Sequence, residues 1–325
     1  MPPDATILQS KADFRDKIGP DGAIPEHKTR ICARGDQQEE GIHFKEVYAP
    51  TAAANTTCMV LAEAAYRAMH VRQMDVKAAF LDAPVDKDIY LHPPKCVPVL
   101  EGKVWRLLKA VYGLHQAVNV WHAPLTAELA MYGFTMECLA DCCLFLKFQG
   151  DKRTWVLVYV DDMLIGGELR DVMHVKKQLA QTFTNKDLGV AHHFLGFLIH
   201  RDELNIRLSQ EQCTKQLLQY VWYQDAHPQR TPFNEGTSKE CAVRCQCASA
   251  EKCKRNFNVS AGECTYAPYN LPGFELPVFV GKTMFLTRSR PGIAYSLGAP
   301  SRFVSNAKTL HEPLVKHLLS IVISD

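Results

Sequence analysis

Along the chain, apolar residues fall in short bursts between polar, turn-rich stretches, and the sharpest burst is VLVYVDDMLIGG at residues 156–167. Two apolar runs of this length, rich in β-branched residues, read as buried strands, so the stretch predicts a hairpin. Asp161 and Asp162 stand at its tip, where Asn-Gly or Asp-Gly is the usual choice because those residues tolerate positive φ. Adjacent carboxylates beside buried strands repel each other and lose hydration unless a cation or donors sit close by. The stretch is therefore either an acidic surface turn or half of a divalent-metal site. The second reading needs another carboxylate from elsewhere in the chain.

Residues 1–50 are polar, with a turn expected at Gly19-Pro20-Asp21-Gly22. Within them, residues 27–38 alternate basic and apolar positions around Lys28, Arg30 and Arg34, which suits a strand with one wet, cationic face. Residues 51–70 are alanine-rich and place Leu61, Ala64, Ala65 and Ala68 at helical spacing after Pro50. VRQMDVKAAF then reads as a strand entering a tight turn, with Asp75 following Met74. Pro84, Pro93 and Pro94 predict an irregular, extended loop. KVWRLLKAVYGLHQ opens as a strand-like run that stops at Gly113, and AVNVWHAPLTAELAMYGF reads as a helix capped near Gly133. Pro124 should kink or break that helix, at a cost of about 3 kcal/mol.

A strand in DCCLFLKF leads through Gly150-Asp151 into the hairpin, and residues 170–183 align Val172, Val175, Leu179 and Phe183 on one helical face. HFLGFLIHRDELNIRLSQ predicts two strands, and residues 211–222 a helix. Apolar periodicity lapses from Asn234 to about Gly273, returns weakly in VFVGKTMFL, and ends in a short amphipathic pattern over residues 311–324. Three regions result: 1–235, a Cys-rich linker or poorly ordered insert at 236–275, and a partial C-terminal region at 276–325.

Composition narrows the function classes. With 325 residues, 47% hydrophobic and 22% charged, the chain has room for two ordinary globular domains. A net charge of +2 gives no strong field that would announce a nucleic-acid partner. The N-terminus lacks a signal-peptide pattern and no apolar run nears the roughly 20 residues that span a bilayer, so a cytoplasmic or nuclear protein with no membrane association is expected. Its 12 cysteines should then be mostly reduced. Cys241, Cys245, Cys247, Cys253 and Cys264 match no paired Cys-x2-Cys framework, and His192-His193 reads as a surface or strand-edge pair, so no zinc site is expected.

Asp75 is the candidate third carboxylate. Separate strands of one sheet can bring it beside Asp161, while Asp162, one residue on, points to the other face and should play an unequal role. Hard oxygen ligands suit Mg²⁺, which takes one or two carboxylates plus substrate phosphates.

MDVKAAFLDAPVDKDIYLHPP, YGLHQAVNVW, DCCLFLKF, YVDDMLIGG, DLGVAHHFLG and RLSQEQ occur in an order that resembles the reverse transcriptases of Copia-type retrotransposons. TRICARGDQQEEGIHFKEVYAPTAA resembles that family's N-terminal part, and TRSRPGIAYSLGAPSRFVSNAKTLH more loosely its later part. The resemblance implies an α+β right-hand polymerase with palm and fingers over residues 1–235, and a partial or degenerate thumb or connection beyond. It implies an RNA-directed DNA polymerase that uses two Mg²⁺ ions (or Mn²⁺), dNTPs and an RNA or DNA template-primer. Asp75, Asp161 and Asp162 match the family's catalytic, metal-binding aspartates. Phe80 matches the aromatic that crowds a ribose 2′-hydroxyl, and Gln116 a glutamine near the incoming nucleotide. Arg30 and Arg34, with Lys28 a weaker match, resemble the basic residues of the fingers strand that meet the triphosphate. Phe194, Leu195 and Gly196 resemble the element that holds the primer end.

Departures accompany these matches. His115, Val118 and Asn119 stand where the family usually has Lys, Pro and Arg; Pro124 is foreign to the following helix; Gly292 replaces an aspartate. The chain also stops before the family's RNase H domain. The alternative expectation is a decayed polymerase-like fragment without turnover, at most a nucleic-acid-binding module.

Overall fold

A computed structural model describes residues 6–17, 26–77, 79–85, 87–98, 102–135, 140–202, 205–221, 275–290, 292–301, 304 and 312–323. The expected turn at residues 19–22 and the cysteine-rich stretch lie outside the described residues. The chain divides into two compact units, residues 1–195 with 201–206, and residues 196–200 with 207–325.

The first unit runs β1 (Ile7–Leu8), β2 (Ser10–Lys17), β3 (Glu26–Ala33), α1 (Ala54–Tyr66), β4 (His70–Val76), β5 (Tyr90–Leu91), β6 (Trp105–Arg106), α2 (Ala117–Met131), β7 (Leu144–Gln149), β8 (Lys152–Tyr159), β9 (Asp162–Gly167), α3 (Leu169–Thr182), β10 (Asn185–Val190) and β11 (His193–Phe194). Its centre is a five-stranded sheet in the order β10-β4-β9-β8-β7, antiparallel at every pairing. Period-2 alternation sorts this sheet into two faces. Met74, Val76, Val156, Val158, Met163 and Ile165 join one core with Trp121, Leu125 and Leu129 of α2 and Val172, Val175 and Leu179 of α3. Gln73 and Asp75 alternate with Met74 and Val76, so they look out from the other face. The α+β class expected from the sequence is the class observed, with an antiparallel central sheet.

Several local expectations are corrected. α2 continues through Pro124 from Ala117 to Met131. The proline removes one backbone donor, but Trp121, Leu125 and Leu129 are all buried, and that packing outweighs the loss. The strand-like run at residues 103–113 keeps only β6 and isolated bridges, and Leu108 in it is exposed. Two further strands lay hidden in polar sequence. β2 pairs with β3 along its whole length, and β10 forms a bulged edge against β4. The weak periodicity at residues 278–286 belongs to a helix.

The second unit contains all but the last residue of β12 (Phe197–Arg201), all but the first of β13 (Ile206–Ser209), and four described helices, α4 (Glu211–Tyr220), α5 (Leu276–Leu286), α6 (Ile293–Ser301) and α7 (Glu312–Ile323). Leu217, Phe279, Leu286, Ile293, Leu297, Leu318 and Val322 make its own core. Among the described residues no helix is long and apolar enough to cross a membrane.

Candidate active site

The hairpin of β8 and β9 turns through Val160 and Asp161, and Asp162 already belongs to β9, facing Tyr159 across the ladder. The left-handed residue is Val160, with φ of 57°, rather than either aspartate. Positive φ at the first central position is what a two-residue hairpin turn of type II′ needs, and glycine normally supplies it. A β-branched residue there is strained. The indole Nε1 of Trp121, a side chain only 1% exposed, donates to the Val160 carbonyl at 2.7 Å and so pins the strained turn from α2.

Asp75 lies in register with Asp162, and paired residues on neighbouring strands share a face. The Val76 N–H donates to the Asp161 carbonyl at 2.8 Å, which brings the turn against the end of β4. All three aspartates are thus gathered at one end of the sheet. The Asp162 carboxyl is pushed up to about 6, first by burial and then by the negative charges of Asp75 and Asp161, while a hydrogen bond from Gln73 pulls the other way. Among the described residues no group of three His, Cys, Asp or Glu side chains converges as a ready-made metal cage. The donor set nevertheless fits Mg²⁺, a hard ion that needs few protein carboxylates and completes its shell with water and phosphate oxygens. A cation here would offset both the burial and the neighbouring negative charges that raise Asp162.

The remaining expected residues fall in distinct settings. Phe80 is buried on a short 3-10 helix (Ala79–Asp82), its ring edge-on to Tyr112 at 5.0 Å. The Arg30 guanidinium stacks over the same Tyr112 ring at 5.2 Å, and its Nε is buried with no partner. Tyr112 is therefore the shared aromatic between β3 and the segment after β4. Gly113, with φ of 90°, lets that segment approach closely, since a Cβ on it would stand 2.1 Å from the Ala33 carbonyl oxygen. Arg34 is exposed and engaged by Asp36, with its terminal nitrogen 2.6 Å from a carboxylate oxygen. Lys28 faces Arg15 across the β2–β3 ladder. Gln116 is 1% exposed; its Nε2 donates to the His43 carbonyl and its Oε1 accepts from Gln38 Nε2. Phe194 is fully buried on β11, and Leu195 and Gly196 both take positive φ, 50° and 77°, the pair that a type I′ turn requires. In the second unit, Gly196 lies so close to Phe285 that a Cβ would meet the ring at 2.4 Å.

Three residues were not singled out from the sequence. Gln73 donates to Asp162 from two positions earlier on Asp75's own strand, and a period-2 reading back from Asp75 would have found it. Lys176, buried on α3, pairs with Asp187 and donates to the Gln73 backbone carbonyl at 3.3 Å. Trp121 had no local signal, because its role depends on how α2 crosses the sheet.

The sequence profile described as "Reverse transcriptase (RNA-dependent DNA polymerase)" matches residues 2–235. The chain is 30% identical over 325 residues to the "Retrovirus-related Pol polyprotein from transposon TNT 1-94" of Nicotiana tabacum, covering 98% of this chain and 23% of that protein. It is 29% identical over 324 residues to the "Retrovirus-related Pol polyprotein from transposon RE2" of Arabidopsis thaliana, covering 98% of this chain and 20% of the relative. The chain thus spans between 20% and 23% of the length of these two curated relatives. Among solved structures, "Structure of the foamy viral protease-reverse transcriptase dRH in complex with ds DNA" aligns with a TM-score of 0.46 and 13% identity, covering 96% of this chain and 43% of that one. The match over residues 2–235 takes in the acidic hairpin, the Asp75 strand and the β11 turn up to Gly196. The chain belongs to the reverse transcriptase (RNA-dependent DNA polymerase) family, in its Copia-type retrotransposon branch.

Proposed function

We propose that this chain is the RNA-directed DNA polymerase portion of a Copia-type retrotransposon polyprotein, extending a primer on an RNA or DNA template. The family uses divalent metals, and the finer assignment here is two Mg²⁺ ions, with Mn²⁺ a substitute. The observation that carries the reading is the register of Asp75 with Asp162, with Asp161 held against Val76, at one end of the central sheet. Half-buried like charges there cost stability; a cation and a phosphate would give them a use.

In the reaction the primer 3′-hydroxyl attacks the α-phosphate of a dNTP, and the bond to pyrophosphate breaks. Asp75 and Asp161 would hold the ions, with Asp162 as the more deeply set third carboxylate. Bound Mg²⁺ supplies positive charge to the attacking and leaving oxygens of an in-line displacement. Phe80, braced edge-on by Tyr112, would present a wall to a ribose 2′-hydroxyl. Arg30 and Arg34 would meet the triphosphate; Arg34 would exchange the Asp36 carboxylate for phosphate oxygens of similar geometry. Gln116, held by Gln38 and His43, would brace the floor of the nucleotide position. The turn at Phe194, Leu195 and Gly196 would support the primer end.

A second reading, a nucleic-acid-binding module without turnover, is favoured by one observation: Arg34 is occupied by Asp36, and Gln116 by protein partners. Primer extension with Mg²⁺ separates the two. The polymerase reading expects extension by the wild type and its loss in Asp161→Ala. Equal extension by both would overturn the site assignment, and template-primer binding without extension by the wild type would favour the module.

A further inference from the structure

We infer that Gln73 is a positioning residue of the metal site, its amide tying the Asp162 carboxylate to the backbone that leads into the β11 turn. The inference rests on the polymerase reading and goes further, to a residue that holds a metal-binding group in place. Gln73 is 5% exposed and lies two residues before Asp75 on β4, on the same face. Its Nε2 lies 2.9 and 3.0 Å from the two Asp162 oxygens and 2.8 Å from the His193 carbonyl oxygen.

The orientation of the amide is fixed by its surroundings. A carboxylate and a carbonyl only accept, so the nitrogen must face both, and both hydrogens of the NH₂ group are used. One hydrogen shared between the carboxylate oxygens leaves lone pairs on each for another ligand. The other hydrogen goes to the residue immediately before Phe194. Gln73 thereby fixes the orientation of Asp162 and its distance from β11 with one rigid group. Its own strand is anchored beneath, where Lys176 donates to the Gln73 carbonyl. Partners of this kind orient a metal-binding group without touching the metal, and their loss typically costs about 10–100-fold in metal affinity or activity.

The test compares wild type, Gln73→Leu and Asp161→Ala in primer extension, with Mn²⁺-induced shifts in melting temperature as a readout independent of turnover. Gln73→Leu keeps the approximate bulk and drops both donors. Expected are a kcat lower by about 10-fold or more, a raised Mg²⁺ half-saturation and an unchanged KM for dNTP. The Mn²⁺-induced gain in melting temperature should shrink, over and above a modest drop in metal-free melting temperature from the two lost donors. If Gln73→Leu matches wild type in kcat and metal response while Asp161→Ala is dead, this inference falls and the polymerase reading stands. If Gln73→Leu loses metal-free stability but keeps the Mn²⁺ gain, Gln73 is structural only and the inference is overturned. If wild type neither extends nor responds to Mn²⁺, the polymerase reading falls and takes the inference with it.

Discussion

The two ends of the β4–β9 ladder differ in how their charges are arranged. At one end Asp75, Asp161 and Asp162 gather like charges beside a valine held in a left-handed conformation. At the other, where His70 faces Gly167, Glu63 accepts from both Arg67 and Arg153, and Lys152 pairs with Glu168. Both ends belong to the same strands, so the contrast is not a property of the fold. Charge at the far end is arranged for the folded chain alone. Charge at the hairpin end is what the proposed metal site would use, and the strained Val160 lies beside it.

Substitutions at each end should separate these roles. The largest effect is expected at Asp161: Asp161→Asn should lower primer extension by more than about a hundredfold, with little change in melting temperature, because the residue sits in a turn and under the polymerase reading would hold a cation. Next comes Asp162, where activity and stability should move in opposite directions. Its carboxyl is raised from the ordinary 3.8 to about 6, so the folded state holds the proton more tightly than the unfolded state. The charged form therefore weakens the metal-free protein above pH 6, and that penalty fades as pH falls toward 4. Asp162→Asn should stabilise the metal-free protein at pH 7 by about 2 kcal/mol, allowing for partial exposure, with the gain over wild type vanishing near pH 4 in urea titrations.

Smaller again is Val160→Gly. Relief of the left-handed valine is worth about 1–2 kcal/mol, and the added freedom of glycine in the unfolded chain takes back about 0.5–1. A net change between zero and a gain of about 1.5 kcal/mol in denaturant unfolding is expected, together with a looser turn and slower extension. Least of all should come from the far end. Glu63→Gln breaks two partly exposed ion pairs, should cost no more than about 1 kcal/mol, and should leave extension unchanged. A large loss of extension there would erase the contrast between the two ends.

What the sequence revealed follows the same division. The hairpin at residues 156–167 was legible because strands buried on both faces write continuous apolar runs, and the helix face of Val172, Val175, Leu179 and Phe183 because one-sided burial writes a period into the chain. β10 was not, because it is an edge strand whose residues are mostly exposed or half-buried, held by the backbone ladder to β4 and by the Lys176–Asp187 pair. β2 was missed for a similar reason: it forms a two-stranded hairpin in polar sequence, with Phe14 exposed. Pro124 misled because a local rule was set against packing that only the folded chain displays. At the site, the aspartates could be named from their order, but the residues around them belong to tertiary structure. Nothing in VDD says that the valine takes the left-handed conformation or that an indole from α2 secures it. Gln73 was within reach, two positions before Asp75, and only its partner on β9 was hidden.

The most direct test of the central claim is the number of Mn²⁺ ions bound by the protein with template-primer and a non-hydrolysable dNTP analogue, counted by electron paramagnetic resonance. The account predicts about two bound ions for wild type, the number that an in-line displacement between attacking and leaving oxygens uses, and their loss in Asp75→Asn and Asp161→Asn. Equal Mn²⁺ binding by wild type and both variants would contradict it, because the hairpin end would then hold no cation and its crowded carboxylates would serve nothing described here.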